Sequence, residues 1–248
     1  MRLLVLIPST LPLEEIKPGI VPYVYRYLRS DTELAFTNLE IGFPSIESEL
    51  QGEFNATQVV FAARKAQEQG MDGVFVDCFD DPGVYACRES LDIPVFGAYV
   101  PAVLTALGAA ERIGIITTDT PGILSEERKA ALMGISGRLA AVRKVDTGVL
   151  DILADRERVV EGLTECCLRM YREDRAGAVC FGCTAMAYVA DDVRAALKQR
   201  GCPMTVVEPL AAGLSYLEHT AALGITNSLG TGVSLGQLKW YDGEDNRT

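Results

Sequence analysis

Cys78 closes the apolar run Gly73-Val74-Phe75-Val76-Asp77 and is followed by Phe79-Asp80-Asp81-Pro82-Gly83 and a helical pattern. Cys183 closes Ala178-Val179-Cys180-Phe181-Gly182 and is followed by Thr184-Ala185-Met186 and a second helical pattern. Both thiols thus fall on a strand-to-helix turn, the place where ligands gather in open α/β sheets. A helix N-terminus offers unpaired N–H groups and partial positive charge, which lower a thiol pKa toward neutrality. The same kind of donor holds a carboxylate or a developing enolate oxygen, and the main-chain N–H groups of Phe79, Asp80 and Thr184 are candidates. Asp80 or Asp81 ahead of Pro82 reads as the cap of the helix after Cys78, and Thr184 as the cap after Cys183. If two similar halves faced one cleft, each thiol would address one face of a small carbon acid. One, as thiolate, would remove a proton, and the other, as thiol, would return it on the opposite side.

Position alone leaves a plainer alternative open, because cysteine is among the residues most often buried as simple packing. Cys87, Cys166, Cys167 and Cys202 read that way. Cys180 forms a C-x-x-C with Cys183 but falls inside a predicted strand, which argues against a redox pair. The seven cysteines are odd in number and irregularly spaced, so free thiols are expected rather than a disulfide framework. His219 is the only histidine, which disfavours a His-containing metal site and removes the commonest general base.

The elements that must position these thiols alternate along the whole chain. Strands are predicted over 2–8, 33–40, 73–77, 94–97, 112–117, 139–145, 177–181 and 204–207, with helical periodicity between them. Over 55–69, for example, Ala56, Val59, Val60, Ala63 and Ala66 line one face. Near-continuous apolar strands suit a parallel sheet buried on both faces, so the fold class is α/β. Three segments recur in order at an offset of about 105–110 residues: 2–10 with 112–120, 73–78 with 178–183, and 93–101 with the stretch ending at Pro209. Two similar halves follow, one of 1–98 plus about 208–248 and the other of 99–207. A crossover near 98–110 enters the second half, and the helix over 209–222 returns to the first or caps the cleft. Trp240 and the 242–248 tail look peripheral.

With 248 residues and 48% hydrophobic content, the chain has ample material for a core. Its net charge of -11 disfavours nucleic acid as a partner. The apolar N-terminal run is interrupted by Pro8 and is too short for an export signal, and no run is long enough to span a bilayer. A cytoplasmic protein is expected, with a small-molecule substrate, no membrane partner and assembly as a homo-oligomer.

Cys78-Phe79-Asp80-Asp81-Pro82-Gly83 resembles the first cysteine motif of hydantoin and allantoin racemases, and Gly182-Cys183-Thr184-Ala185-Met186 resembles the second. Gly42-Phe43-Pro44-Ser45-Ile46-Glu47-Ser48 is similar to a signature of the hydantoin branch, and Thr117-Thr118 to its Val-Thr-Thr strand end. The chain is thereby identified as a member of the aspartate/glutamate/hydantoin racemase superfamily, the likeness running from about residue 3 to 215. That resemblance implies two pseudo-symmetric Rossmann-like (flavodoxin-like) halves with the active site in the cleft between them. It also implies no cofactor, with catalysis by Cys78 and Cys183; no metal is expected. Departures flank the cleft: Ile7-Pro8-Ser9-Thr10 replaces an Asn-Pro-Asn segment, Gly97-Ala98-Tyr99-Val100-Pro101 lacks an acid, and Glu208 stands for an Asp.

Around the thiols, the substrate-binding candidates are Phe79, Asp80, Thr117, Thr118, Gly182, Thr184, Ser9, Thr10 and Glu208. Thr117, Thr118, Ser9 and Thr10 end strands where hydroxyls could bond a substrate carbonyl. Glu208 either orients a ring N–H or caps the last helix, and Tyr99 either fills cleft space or packs at a helix start. The expected substrate is a 5-substituted hydantoin or allantoin. An amino-acid racemase would be expected to carry Asn-Thr after the first cysteine, where this chain has Phe79-Asp80. An arylmalonate decarboxylase would lack the first cysteine, whereas a maleate isomerase would keep both. A two-lobed binding protein with inert cysteines is the non-enzyme alternative.

Overall fold

The computed structural model describes residues 1–145, 147, 148, 152 and 155–226, so Trp240 and the 242–248 tail lie outside the described residues. Every predicted strand forms: β1 (Arg2–Ile7), β2 (Glu33–Asn38), β3 (Gly73–Val76), β4 (Val95–Phe96), β5 (Ile113–Thr117), β6 (Leu139–Lys144), β7 (Ala178–Phe181) and β8 (Thr205–Val207). They assort into two four-stranded parallel sheets, ordered β2-β1-β3-β4 and β6-β5-β7-β8. The second order repeats the first, strand for strand, so the recurrence in the sequence is a recurrence of topology. Parallel neighbours need crossover connections, which the intervening helices supply. These are α1 (Leu13–Val24), α2 (Glu49–Glu68), α3 (Val84–Ser90), α4 (Tyr99–Ala109), α5 (Thr120–Leu132), α6 (Arg156–Glu173), α7 (Ala190–Gln199) and α8 (Pro209–Ala222). A 3₁₀ helix over Thr184–Val189 precedes α7.

Side chains alternate across each sheet. In the first, Leu4, Leu6, Val74 and Val76 pack outward with Val59, Ala63 and Cys87 of α2 and α3. Leu3, Val5 and Phe75 face the other way, into a core shared with Ile113, Ile115, Ala178 and Cys180 of the second sheet. α4 and α8 fill this shared layer. α4 follows β4 of the first sheet but packs on β5, β7 and β8, whereas α8 follows β8 and packs on β3 and β4. The fit is close: a Cβ at Gly213 of α8 would run into the Phe75 ring.

α2 begins at Glu49, a turn and a half before the expected Asn55, because Ser48 caps it by accepting the Gln51 N–H at 3.4 Å. Its buried face carries Asn55 in place of Ala56. The Asn55 amide donates to the Pro8 carbonyl at 2.8 Å and accepts the Phe43 N–H at 2.9 Å, which ties down the loops beyond β1 and β2. Among the described residues no helix is long and apolar enough to cross a membrane.

Candidate active site

Cys78 and Cys183 sit at the carboxyl ends of β3 and β7, the equivalent strands of the two sheets. Cys78 is half-buried, Cys183 is 8% exposed, and the charge of Cys183 acts on Cys78. The turn after Cys78 differs from the expected helix start. Asp81 and Gly83 take positive φ values of 52° and 73°, and α3 opens only at Val84, with no side-chain cap. That backbone swings the Asp81 carboxylate away from α3, and its Oδ1 accepts the Tyr99 N–H at 3.0 Å, at the start of α4. Gly97 leaves room for it, since a Cβ there would run into the carboxylate. Neither Asp80 nor Asp81 caps α3; Asp80 pairs with Lys129 at 3.0 Å instead.

Cys183 itself is the N-cap position of the 3₁₀ helix, and Thr184 does not cap it. The Thr184 hydroxyl instead donates to the Asp77 carbonyl at 3.4 Å, bridging the two cysteine-bearing turns. Gly182 donates its N–H to the Ile116 carbonyl at 2.7 Å.

The expectation of lowered thiol pKa values is corrected by burial. Desolvation pushes Cys183 up to about 12, although the N–H groups of Ala185 and Met186 favour its thiolate and the Asp77 and Asp80 charges oppose it. Cys78 also rises well above the ordinary thiol range through burial and then the Asp80 charge, against the Asp80 N–H and Lys129, which favour its thiolate. A helix N-terminus beside Cys78 is missing because α3 starts too far along the chain.

Lys129 of α5 is the cation that Cys78 senses. Its ammonium donates to the Phe79 carbonyl at 2.9 Å and pairs with Asp80 at 3.0 Å and Glu126 at 2.7 Å. It also lies 5.0 Å from the Phe79 ring centroid and 4.6 Å from that of Tyr99. Burial opposes its charge, but Glu126 and Asp80 outweigh that and hold Lys129 protonated. Glu126 is only 2% exposed, and burial pushes its carboxyl up to about 8 despite Lys129.

The remaining candidates occupy the same strand ends but differ in what their side chains do. Phe79 is buried, with its ring edge-on to Tyr99 at 5.2 Å. Tyr99 therefore packs at the start of α4, with its hydroxyl buried and unpartnered. Thr117 and Thr118 are buried beyond the inner core at the end of β5, and the Thr117 hydroxyl nestles over Gly122 in the first turn of α5. Ser9 accepts the Leu11 N–H at 3.5 Å, and Thr10 bonds the Phe43 carbonyl through its N–H at 3.2 Å. Glu208 caps α8, taking the N–H groups of Leu210 and Ala211 at 2.9 Å each. Burial raises its pKa, and those two N–H groups and the Tyr23 hydroxyl beside it pull the other way.

Sequence reasoning passed over Asp77, Glu126 and Lys129. Asp77 is an acid at the end of an otherwise apolar strand, which was signal enough to single it out. Lys129 and Glu126 look like ordinary solvated helix charges, and only the packing of α5 against the Cys78 turn brings them inward. Among the described residues no cluster of His, Cys, Asp or Glu is arranged to hold a metal. An open depression of about 430 Å³ lies at the amino ends of the first sheet, by Met1, Asp72 and Pro94, away from the thiols.

Two parallel sheets of one topology, with buried ionisable groups gathered at the ends of their equivalent strands, define an α/β protein of two like halves. A hydantoin racemase of Pseudomonas sp. (strain NS671) is 32% identical over 79% of this chain and 77% of its own. A hydantoin racemase of Rhizobium meliloti is 28% identical over 74% of each chain. Among solved structures, the allantoin racemase from Klebsiella pneumoniae superposes with a TM-score of 0.84 at 28% identity, covering 92% of this chain and 90% of that one. The Asp/Glu/hydantoin racemase family profile matches residues 15–217, and the chain belongs to that family. It is an isomerase of the racemase type.

Proposed function

We propose that this enzyme racemises a 5-substituted hydantoin, allantoin or similar cyclic ureide by a two-base mechanism, without a cofactor, in the cleft between two lobes. The lobes are 1–98 plus about 208–248, and 99–207. The observation that carries the reading is the placement of Cys78 and Cys183 at equivalent strand ends, with the charge of Cys183 acting on Cys78. One cysteine, as thiolate, takes the proton from the stereogenic carbon, becoming a thiol and leaving an enolate. The other thiol gives its proton to the opposite face and is left as thiolate, so the roles exchange in the reverse direction. The N–H groups of Asp80 at Cys78, and of Ala185 and Met186 at Cys183, favour whichever sulfur carries the charge. A thiolate made basic by burial is also the better match to a weak carbon acid.

The cyclic ureide follows from the hydantoin and allantoin racemases among its relatives and from the Phe79-Asp80 pair after the first thiol. Cys78 distinguishes the site from a decarboxylase that works with one cysteine. Exposed Ile41, Leu50 and Phe54 around the start of α2 offer an apolar surface for a homo-oligomer, and a cytoplasmic setting suits its free thiols.

The test is proton exchange in deuterated water, followed by NMR and polarimetry, with enantiopure hydantoins, allantoin, aspartate and glutamate. Deuterium at the stereocentre with loss of optical purity, for cyclic ureides alone, is the expected result. Exchange confined to the amino acids would replace this substrate class, and exchange of none would remove the two-base reading.

A further inference from the structure

Asp77 immediately precedes Cys78 and is only 9% exposed. By strand alternation it shares the face of Phe75, toward the second lobe and the start of α8. One carboxyl oxygen, Oδ1, is buried without any hydrogen-bond partner. An unmatched buried acceptor of this kind is costly unless something completes it. The groups that face it are the Thr184 hydroxyl, the Cys183 thiol, the Tyr188 phenol and the Glu208 carboxylate, none of them a cation. Burial, with the Glu208 charge, pushes its carboxyl up to about 7, against the Thr184 hydroxyl. Asp77 also makes the Cys183 thiolate harder to form. An acid that hinders a catalytic base and keeps one buried oxygen without a partner is explained if substrate supplies that partner.

We propose that Asp77 is a specificity-determining residue whose free carboxyl oxygen accepts a ring N–H of the substrate and which, with Glu208, turns away substrates bringing a carboxylate to that position. The proposal rests on the cyclic-ureide reading above. A ring N–H beside the stereocentre is the donor such a substrate offers, and an α-carboxylate in its place would meet two acids. Lys129, the cation Cys78 senses, is already bonded to Phe79, Asp80 and Glu126 and has no free role for a substrate anion.

The experiment measures kcat and KM for racemisation of a neutral 5-alkylhydantoin between about pH 6 and 8, with the wild type, Asp77→Ala and Asp77→Asn. In the wild type, KM should fall as pH rises through about 7, because the ionised carboxylate is the stronger acceptor. Asp77→Ala should raise KM roughly tenfold at the upper end with much less change in kcat, as for a lost hydrogen bond to a charged group. Asp77→Asn should give an intermediate KM, and both variants should lose the pH dependence. Inhibition by a simple carboxylate without an N–H, such as isobutyrate, should be weak in the wild type and stronger in Asp77→Ala. Alkylation of Cys183, read by mass spectrometry, should speed up in both variants. An active variant with wild-type KM and an unchanged pH profile would overturn the proposal while leaving racemisation of cyclic ureides intact. If the alanine variant fails to fold, the pH profile of the near-isosteric asparagine decides. Wild-type inactivity on every cyclic ureide would instead overturn the underlying reading, and this proposal with it.

Discussion

The two lobes share one topology but hold their thiols in unlike surroundings. Cys78 is half-buried at the head of an irregular turn with two left-handed residues, beside Lys129 and directly after Asp77. Cys183 is nearly closed off, opens a 3₁₀ helix, receives the N–H groups of Ala185 and Met186, and follows Gly182. Asp80 opposes both thiolates, but only Cys78 has a cation, Lys129, acting against it, whereas Asp77 adds to the opposition at Cys183. Fold symmetry thus sets where the thiols are, and the local side chains set how easily each ionises. Enantiomers have equal free energy in water, so kcat/KM must match in the two directions. The inequality between lobes is free to appear in kcat and KM separately, changing both together from one enantiomer to the other.

The largest break in this comparison comes from removing one thiol at a time. Cys78→Ser and Cys183→Ser should each lower racemisation by at least about 10³-fold, since a hydroxyl is a far weaker base near neutrality. Each variant should still exchange the α-proton of one enantiomer, and the two should favour opposite hands. Chiral chromatography after incubation in deuterated water reads both quantities. Retention of wild-type racemisation by either variant would end the two-thiol assignment.

A smaller effect should be confined to one lobe. The paired change Lys129→Met with Glu126→Gln removes the buried ammonium and its carboxyl partner together, so neither is left without the other. It should lower the alkylation rate of Cys78 and reduce kcat about tenfold, because a nearby cation no longer favours that thiolate. Cys183 should alkylate as before. Equal slowing at both thiols would mean that Lys129 acts by holding the lobes together, not through its charge at Cys78.

The strands were legible because a parallel sheet buried on both faces leaves no polar residue to blur runs such as Val74-Phe75-Val76 or Ala178-Val179-Cys180-Phe181. The thiol positions were legible for the same reason, since each ends such a run. What followed each thiol was not. Asp81-Pro82 has the composition of a helix cap, but the left-handed φ at Asp81 and Gly83 redirects the carboxylate to α4, which lies far along the chain. Thr184 likewise finds Asp77 across the two turns rather than its own helix. The thiol pKa values were misjudged because a local motif supplies the stabilising N–H groups, whereas desolvation comes from everything packed around each thiol. Lys129 and Glu126 belong to the same class of omission: burial is conferred by a partner element, and their own periodicity carries no trace of it.

The subtlest difference between the lobes is Asp77 against Gly182, the residues just ahead of each thiol. Glycine at 182 has a packing reason, because a Cβ there would stand 2.8 Å from the Ile116 carbonyl oxygen and 3.2 Å from Thr117 Cα. Both neighbours are main-chain atoms of β5 and have little room to yield. Gly182→Ala should therefore destabilise the fold by about 1–3 kcal/mol, as overpacking does, lowering Tm by roughly 5 °C for a chain of this size. Gly162 in α6 provides the matched control, since nothing lies within 4 Å of a Cβ added there. Gly162→Ala should gain up to about 1 kcal/mol from helix propensity alone. Calorimetry on the two variants gives opposite signs if β7 needs glycine to lie against β5. A Gly182→Ala protein as stable as the wild type would show that the second lobe could carry a side chain ahead of its thiol, as the first does. The absence of an acid there would then need a chemical reason, with Asp77 serving one face of the substrate only.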